Sequence, residues 1–81
     1  MNVRVLYFAL ARDLASTRTE SVSMPEGSSV GDLVQSLVTR HPALGKLSTA
    51  MKCSVNLSVV ATETALTDGD EVGVLPPVAG G

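Results

Sequence analysis

The chain has 81 residues, a formal net charge of −2, 44% hydrophobic residues and 2% aromatic ones. That length allows one domain, close to the lower limit for a self-sufficient core. Its one cysteine, Cys53, excludes an intrachain disulfide and a multi-cysteine metal cage, and its one histidine, His41, leaves little for an acid–base pair. Six basic residues against eight acidic ones exclude the basic face that nucleic acid demands. No apolar run approaches the roughly 20 residues that span a bilayer. Met1-Asn2-Val3-Arg4 opens into a strand-like pattern and lacks the build of a signal peptide. The expectation is a small cytoplasmic domain with almost no catalytic side chains and no bound metal or cofactor, and with neither nucleic acid nor membrane as partner.

Val3 to Leu10 reads as a strand. Val3, Val5 and Tyr7 fall on one face and Arg4, Leu6 and Phe8 on the other. Apolar groups on both faces predict a central strand, or a second face that a partner covers. Ala11 to Thr17 reads as a loop. Thr19 to Met24 reads as a second strand, stopped by Pro25-Glu26-Gly27. Ser29 followed by Asp32 resembles a capping box, with Asp in place of the usual Glu or Gln. Val30, Leu33, Val34, Leu37 and Val38 then repeat at helical spacing and form one apolar stripe, read as core. His41-Pro42 ends this helix, because a residue before proline is pushed out of the α region.

Ala43 to Met51 predicts a short second helix through Leu44, Leu47 and Met51. Cys53, Val55, Leu57 and Val59 alternate with polar residues as in a strand, with a turn at Asn56 in the middle. Leu66-Thr67-Asp68-Gly69-Asp70 signals a tight turn. Glu71 to Leu75 is the last strand, ended by Pro76-Pro77. This order predicts an α+β domain: a mixed sheet of about four to five strands with one main helix on one face. Residues 1–77 make up the domain, and residues 78–81 a flexible Gly-Gly tail.

The tail is Leu75-Pro76-Pro77-Val78-Ala79-Gly80-Gly81. Two prolines fix φ and favour an extended exit from the sheet. Pro76 to Gly81 reach roughly 20 Å when extended, at about 3.3 Å per residue. Gly80 and Gly81 lack Cβ atoms and fit a narrow channel, which leaves an unhindered main-chain carboxylate at the tip. Such a carboxylate can be adenylated, and sulfide can then replace AMP to leave a nucleophilic thiocarboxylate. A bare Gly-Gly end is more often simply frayed. Here it follows a Pro-Pro stiffener directly after the last predicted strand.

In Val5-Leu6-Tyr7-Phe8-Ala9, Ser29-Val30-Gly31-Asp32-Leu33 and Val55-Asn56, and above all in Leu66-Thr67-Asp68-Gly69-Asp70-Glu71-Val72 running into the tail, the chain resembles the small, sulfur-carrier subunits of molybdopterin synthase. The early matches are generic; the last fifteen or so residues are specific. The resemblance implies a ubiquitin-like β-grasp fold. It implies that an adenylyltransferase uses ATP and Mg²⁺ on the Gly81 carboxylate, with Gly80 beside it. It also implies a sulfur donor protein, and a large catalytic subunit into which the tail inserts to pass sulfur to cyclic pyranopterin monophosphate. A heterotetramer of two small and two large subunits follows from the family alone. Partner-binding positions map onto Phe8, Val59 and Leu75, and onto Pro76, Pro77, Val78 and Ala79 of the tail. Val59 and Leu75 are smaller than the groups many members carry there. Without the resemblance, these three would be read as ordinary surface hydrophobes. A sulfur carrier for thiamine synthesis or tRNA thiolation shares the same fold, and a ubiquitin-like modifier would join Gly81 to lysines.

Among the remaining candidates, Cys53 reads as a buried strand residue rather than a reactive thiol. His41 suits a helix C-terminus. Asp68, Asp70 and Glu71 lack the spacing of a calcium loop and read as a solvated turn near the tail that could steer it toward a basic partner.

Overall fold

In a computed structural model of the chain, residues 1–47 and 51–76 are described. The elements run β1 (Asn2–Tyr7), α1 (Ala9–Ala15), β2 (Thr19–Ser23), α2 (Val30–Arg40), a 3₁₀ turn (Pro42–Leu47), β3 (Lys52–Val55), β4 (Ser58–Val60) and β5 (Glu71–Leu75). The strands form one mixed sheet in the order β2-β1-β5-β3-β4. β1 and β5 are parallel, and the other three pairings are antiparallel. The first and last strands therefore lie side by side at the centre, and α2 belongs to the long crossover that a parallel pair requires.

Alternation decides which side of the sheet is covered. Val3, Val5 and Tyr7 of β1, Val22 of β2, Cys53 of β3 and Val72 and Val74 of β5 all point inward and are buried. Against them α2 lays Val30, Leu33 and Leu37, also buried, with Val34 and Val38 packed at the edge. Each such side chain contributes about 1.5–3 kcal/mol when fully removed from water. That burial holds a helix weakened by Gly31 and by its β-branched residues. The capping box forms as expected. The Asp32 N–H donates to Ser29 Oγ (3.1 Å) and the Ser29 N–H donates to the Asp32 carboxylate (2.9 Å). The helix ends at His41, whose N–H donates to the Leu37 carbonyl.

Three expectations need correction. Ala11 to Thr17 is not a loop: α1 occupies Ala9–Ala15, and β1 stops at Tyr7 rather than at Leu10. Ala11, Leu14 and Ala15 recur at helical spacing, and Ala11 and Ala15 are buried. Alanine is the best intrinsic helix former, and that outweighs the polar look of the segment. The entry from strand to helix is abrupt, with Ala9 at φ 50°, and Ser16 closes the helix in the left-handed region at φ 60°. Next, the second helix expected over Ala43 to Met51 is a 3₁₀ turn over Pro42–Leu47, which buries Leu44 and Leu47; residues 48–50 lie outside the described residues. The turn expected at Asn56 forms, with Asn56 and Leu57 at φ 50° and 77° joining β3 to β4. Finally, the expected solvated turn at Asp68, Asp70 and Glu71 is solvated only in part, because Asp70 is buried and fully engaged.

Candidate functional site

The site develops along β5. Its beginning is pinned by side-chain chemistry. The Asp70 carboxylate accepts from the Thr67 N–H (2.8 Å), the Thr67 hydroxyl (3.0 Å) and the Asn56 amide (3.1 Å). These hydrogen bonds, the Thr67 backbone N–H foremost, hold the Asp70 carboxyl below its usual range. Asn56 also accepts from the Glu71 N–H (3.0 Å) and donates its own N–H to the Glu71 carbonyl (2.8 Å). The neighbouring Asp68 accepts from the Asn2 N–H (2.7 Å), and the Asp70 carbonyl accepts from the Arg4 N–H (2.9 Å). Both central strands are thus tied at one end, and this fixes where β5 finishes.

β5 finishes at Leu75, and Pro76 carries the chain off the sheet. The expectations for Pro77, Val78, Ala79, Gly80 and Gly81, including the flexible tail over 78–81, fall outside the described residues. Asp68, Asp70 and Glu71 do not flank this exit. They sit at the opposite end of the sheet, because β5 begins with them and leads away, so they cannot steer the tail as expected from the sequence.

The side of the sheet away from α2 carries the other predicted positions. In register across it stand Leu6, Gly73, Ser54 and Val59, one from each of β1, β5, β3 and β4. Phe8 extends the β1 ladder by one step, its N–H donating to the Val74 carbonyl (3.2 Å). Its ring lies over Gly73: a Cβ built on Gly73 would come within 3.0 Å of the ring and 2.5 Å of Ser54 Oγ. Phe8 and Leu75 therefore belong to neighbouring strands on one face, whereas Val59 lies two strands beyond β5, across Ser54. Phe8 is 44% exposed and Val59 63%, and Leu75 is half-buried. Gly73 was missed as part of this arrangement. The signal was a glycine inside an otherwise apolar strand, which marks a close approach.

The remaining chemistry-bearing side chains are absorbed by the fold. Burial raises the Cys53 thiol above its usual range and so keeps it protonated, and a protonated thiol is a poor nucleophile. His41 Nε2 lies 2.9 Å from the Glu20 carboxylate. The same carboxylate accepts from the Tyr7 hydroxyl (3.0 Å) and lies near Arg40 (3.8 Å). Burial first, then the Glu20 contact, pushes the Tyr7 hydroxyl well above its usual range. These contacts tie the end of α2 to β1 and β2. Among the described residues, no cluster of His, Cys, Asp and Glu could hold a metal ion, and no helix is long and apolar enough to cross a membrane.

A five-stranded mixed sheet with parallel central strands, one long helix across its inner face and a proline-led exit from its last strand defines a ubiquitin-like β-grasp protein. The chain belongs to the ThiS family, whose model matches residues 5–81. It is 38% identical over 82 residues to the molybdopterin synthase sulfur carrier subunit of Mycobacterium tuberculosis, covering 100% of this chain and 99% of that one. It is 34% identical over 83 residues to the subunit of the same name from Chlamydomonas reinhardtii, covering 100% of both. Among solved structures it is similar to SAMP1 from Haloferax volcanii, with a TM-score of 0.89, 29% identity and 100% of both chains covered.

Proposed function

We propose that this chain is the sulfur-carrier subunit of a molybdopterin synthase, with its own C-terminal carboxylate as the reagent. An activating enzyme joins the Gly81 carboxylate to AMP from ATP with Mg²⁺, releasing pyrophosphate. Sulfide supplied by a donor protein then attacks the carbonyl carbon: a C–S bond forms, the C–O bond breaks with AMP as the leaving group, and a thiocarboxylate remains. The tail, Pro76 to Gly81, enters the large subunit and delivers that sulfur to cyclic pyranopterin monophosphate. Phe8, Leu75 and Val59 hold the domain against its partner while this happens. The pocket side chains that act on the substrate belong to the large subunit.

The observation that carries this reading is end-to-end similarity to carrier subunits, running through residue 81, in a chain whose own Cys53 and His41 are taken up by the core and by Glu20. The turn-locked β5 supports it as well, because a carrier must present its tail from a fixed point. Intact-mass analysis of the C-terminal peptide, after incubation with ATP, the activating enzyme and a sulfur source, tests it. A gain of one sulfur in place of one oxygen is expected at Gly81. Deleting Gly81 abolishes sulfur transfer and leaves the thermal unfolding midpoint unchanged. Full transfer activity after that deletion would overturn the reading. Covalent attachment of Gly81 to lysines of other chains, without thiocarboxylate, would instead favour a modifier role like that in the name of the related small archaeal modifier protein 1 of Haloferax volcanii.

A further inference from the structure

The charged side chains segregate to the two ends of the sheet. Around the exit of β5 lie Arg12 of α1, Arg18 before β2, Arg40 at the end of α2, Lys46 of the 3₁₀ turn and Lys52, which stands opposite Leu75 in register. Only Asp13 and Glu20 share that end. Five cations and two carboxylates give it a net charge of +3. At the other end lie Glu26, Asp32, Glu63, Asp68, Asp70 and Glu71, with Arg4 as the one cation. That is a net charge of −5, and the two ends together account for the −2 of the whole chain. The residues outside the described set carry no charged side chain; with the Met1 ammonium, 3.5 Å from Glu26, counted at the acidic end and the Gly81 carboxylate counted with the tail, the two ends carry −4 and +2.

The cations at the exit are available to a partner. Arg12, Arg18, Lys46 and Lys52 are exposed and form no ion pair among the described residues; Arg40 reaches Glu20 at 3.8 Å and His41 also leans on that carboxylate. Within the cationic ring sit the exposed Phe8 and Leu10 and the half-buried Leu75. An apolar centre with a charged rim is the anatomy of a protein interface. The apolar centre here is small, which suits a partner that binds and releases rather than one held permanently.

From this polarity we infer that the exit end docks on a protein surface that is acidic around the opening that takes the tail, and that the partner so matched is the enzyme that adenylates Gly81. The inference rests on the carrier reading above and adds the chemistry of the partner's surface. Charge complementarity raises the rate of encounter and suppresses wrong orientations more than it raises affinity. A molecule with +2 at its tail end, the Gly81 carboxylate included, and −4 at the other turns in the field of an acidic opening, so that the tail arrives first. A basic opening would turn it the wrong way.

Stopped-flow association of the full chain with its activating enzyme, at low and physiological salt, tests the inference. Association of the unchanged chain slows by about tenfold as salt rises, as screened steering requires. Reversing Arg12→Glu, Lys46→Glu and Lys52→Glu together slows low-salt association by about tenfold or more. The matched pair Lys52→Glu and Arg4→Glu changes net charge equally at opposite ends of one face. Only Lys52→Glu is expected to slow association, with thermal unfolding confirming that both variants fold. Equal effects from the pair, or no effect from the triple variant, would overturn the inference. So would a loss confined to binding of RNA or anionic vesicles. ATP–pyrophosphate exchange separates the two levels. If the unchanged chain supports none with this enzyme, the carrier reading falls and the inference with it; if it supports exchange and the charge variants associate normally, only the acidic partner is lost.

Discussion

The two ends of β5 are built on opposite principles. At its start, Asp70, Thr67, Asn56 and Asp68 satisfy one another and the backbones of β1 and β5 in a closed set of hydrogen bonds. At its end, Leu75 and Pro76 meet a face where Phe8 and Val59 stay exposed, and near it Arg12, Arg18, Lys46 and Lys52 form no ion pair among the described residues. One end uses polar groups up internally and gains register; the other leaves apolar and charged groups unused and gains a surface for something else. On the carrier reading proposed above, a small domain with few catalytic side chains acts in this way by holding the origin of its tail still while a partner reads the neighbouring surface.

The sharpest way to break this contrast is Asp70→Ala. It removes the charged acceptor of the part-buried Thr67 N–H and Asn56 amide, and hydrogen bonds to a charged group contribute about 1.5–3 kcal/mol. A loss of about 2–3 kcal/mol in urea unfolding is expected, a large share of the stability of a chain this size. The pH dependence has a definite sign. The folded-state Asp70 carboxyl titrates below its ordinary value of 3.8, so its contribution is complete above that value. It is lost as pH falls through the depressed folded value. Acid unfolding of the unchanged chain should therefore steepen below about pH 4, and Asp70→Asn should flatten that limb. An acid limb identical in both proteins would show that the lock does not set the stability of this end.

Gly73→Ala probes the boundary between the two regimes, and a smaller loss of about 1 kcal/mol is expected. The new methyl meets Ser54 Oγ and the Phe8 ring, and the serine is the more confined of the two. Adding Ser54→Ala removes the closer contact and should recover most of the stability in a double-mutant cycle. The Phe8 ring stays displaced in both variants, so partner affinity is not recovered with stability. Recovery of both together would mean that the seat of Phe8 does not matter to binding.

Much of this was legible in the sequence because it rests on strong local patterns. The α2 stripe, the Ser29–Asp32 box, the turn at Asn56 and the strand from Glu71 to Leu75 each follow from one spacing or one turn residue. The corrections arose where two rules compete. α1 looked like a loop because Arg12, Asp13 and Ser16 mask a run of alanines whose burial depends on the sheet beside it. Asp70 looked solvated because Asn56, from the hairpin between β3 and β4, reaches it only once β3, β4 and β5 are assembled. The seat of Phe8 over Gly73 and the segregation of charge depend on strand order, which no short window contains. The antiparallel pairing of β3 with β5 brings Lys52 to the exit.

The smallest expected effect lies in the hairpin that supplies Asn56. Leu57 follows it at φ 77° and is 90% exposed, so its side chain gains little from burial while its backbone sits in the left-handed region. That conformation costs a non-glycine residue about 1–2 kcal/mol. Leu57→Gly removes the strain but adds about 0.5–1 kcal/mol of unfolded-state entropy. The two nearly cancel, and a net gain below about 1 kcal/mol is expected in urea unfolding. Asn56 keeps its bonds to Asp70 and Glu71 in this variant, so the acid limb should match that of the unchanged chain. A clear loss of stability would mean that the Leu57 side chain supports the locked end despite its exposure. A gain near 2 kcal/mol would mean that the lock holds a more strained hairpin than its angles indicate.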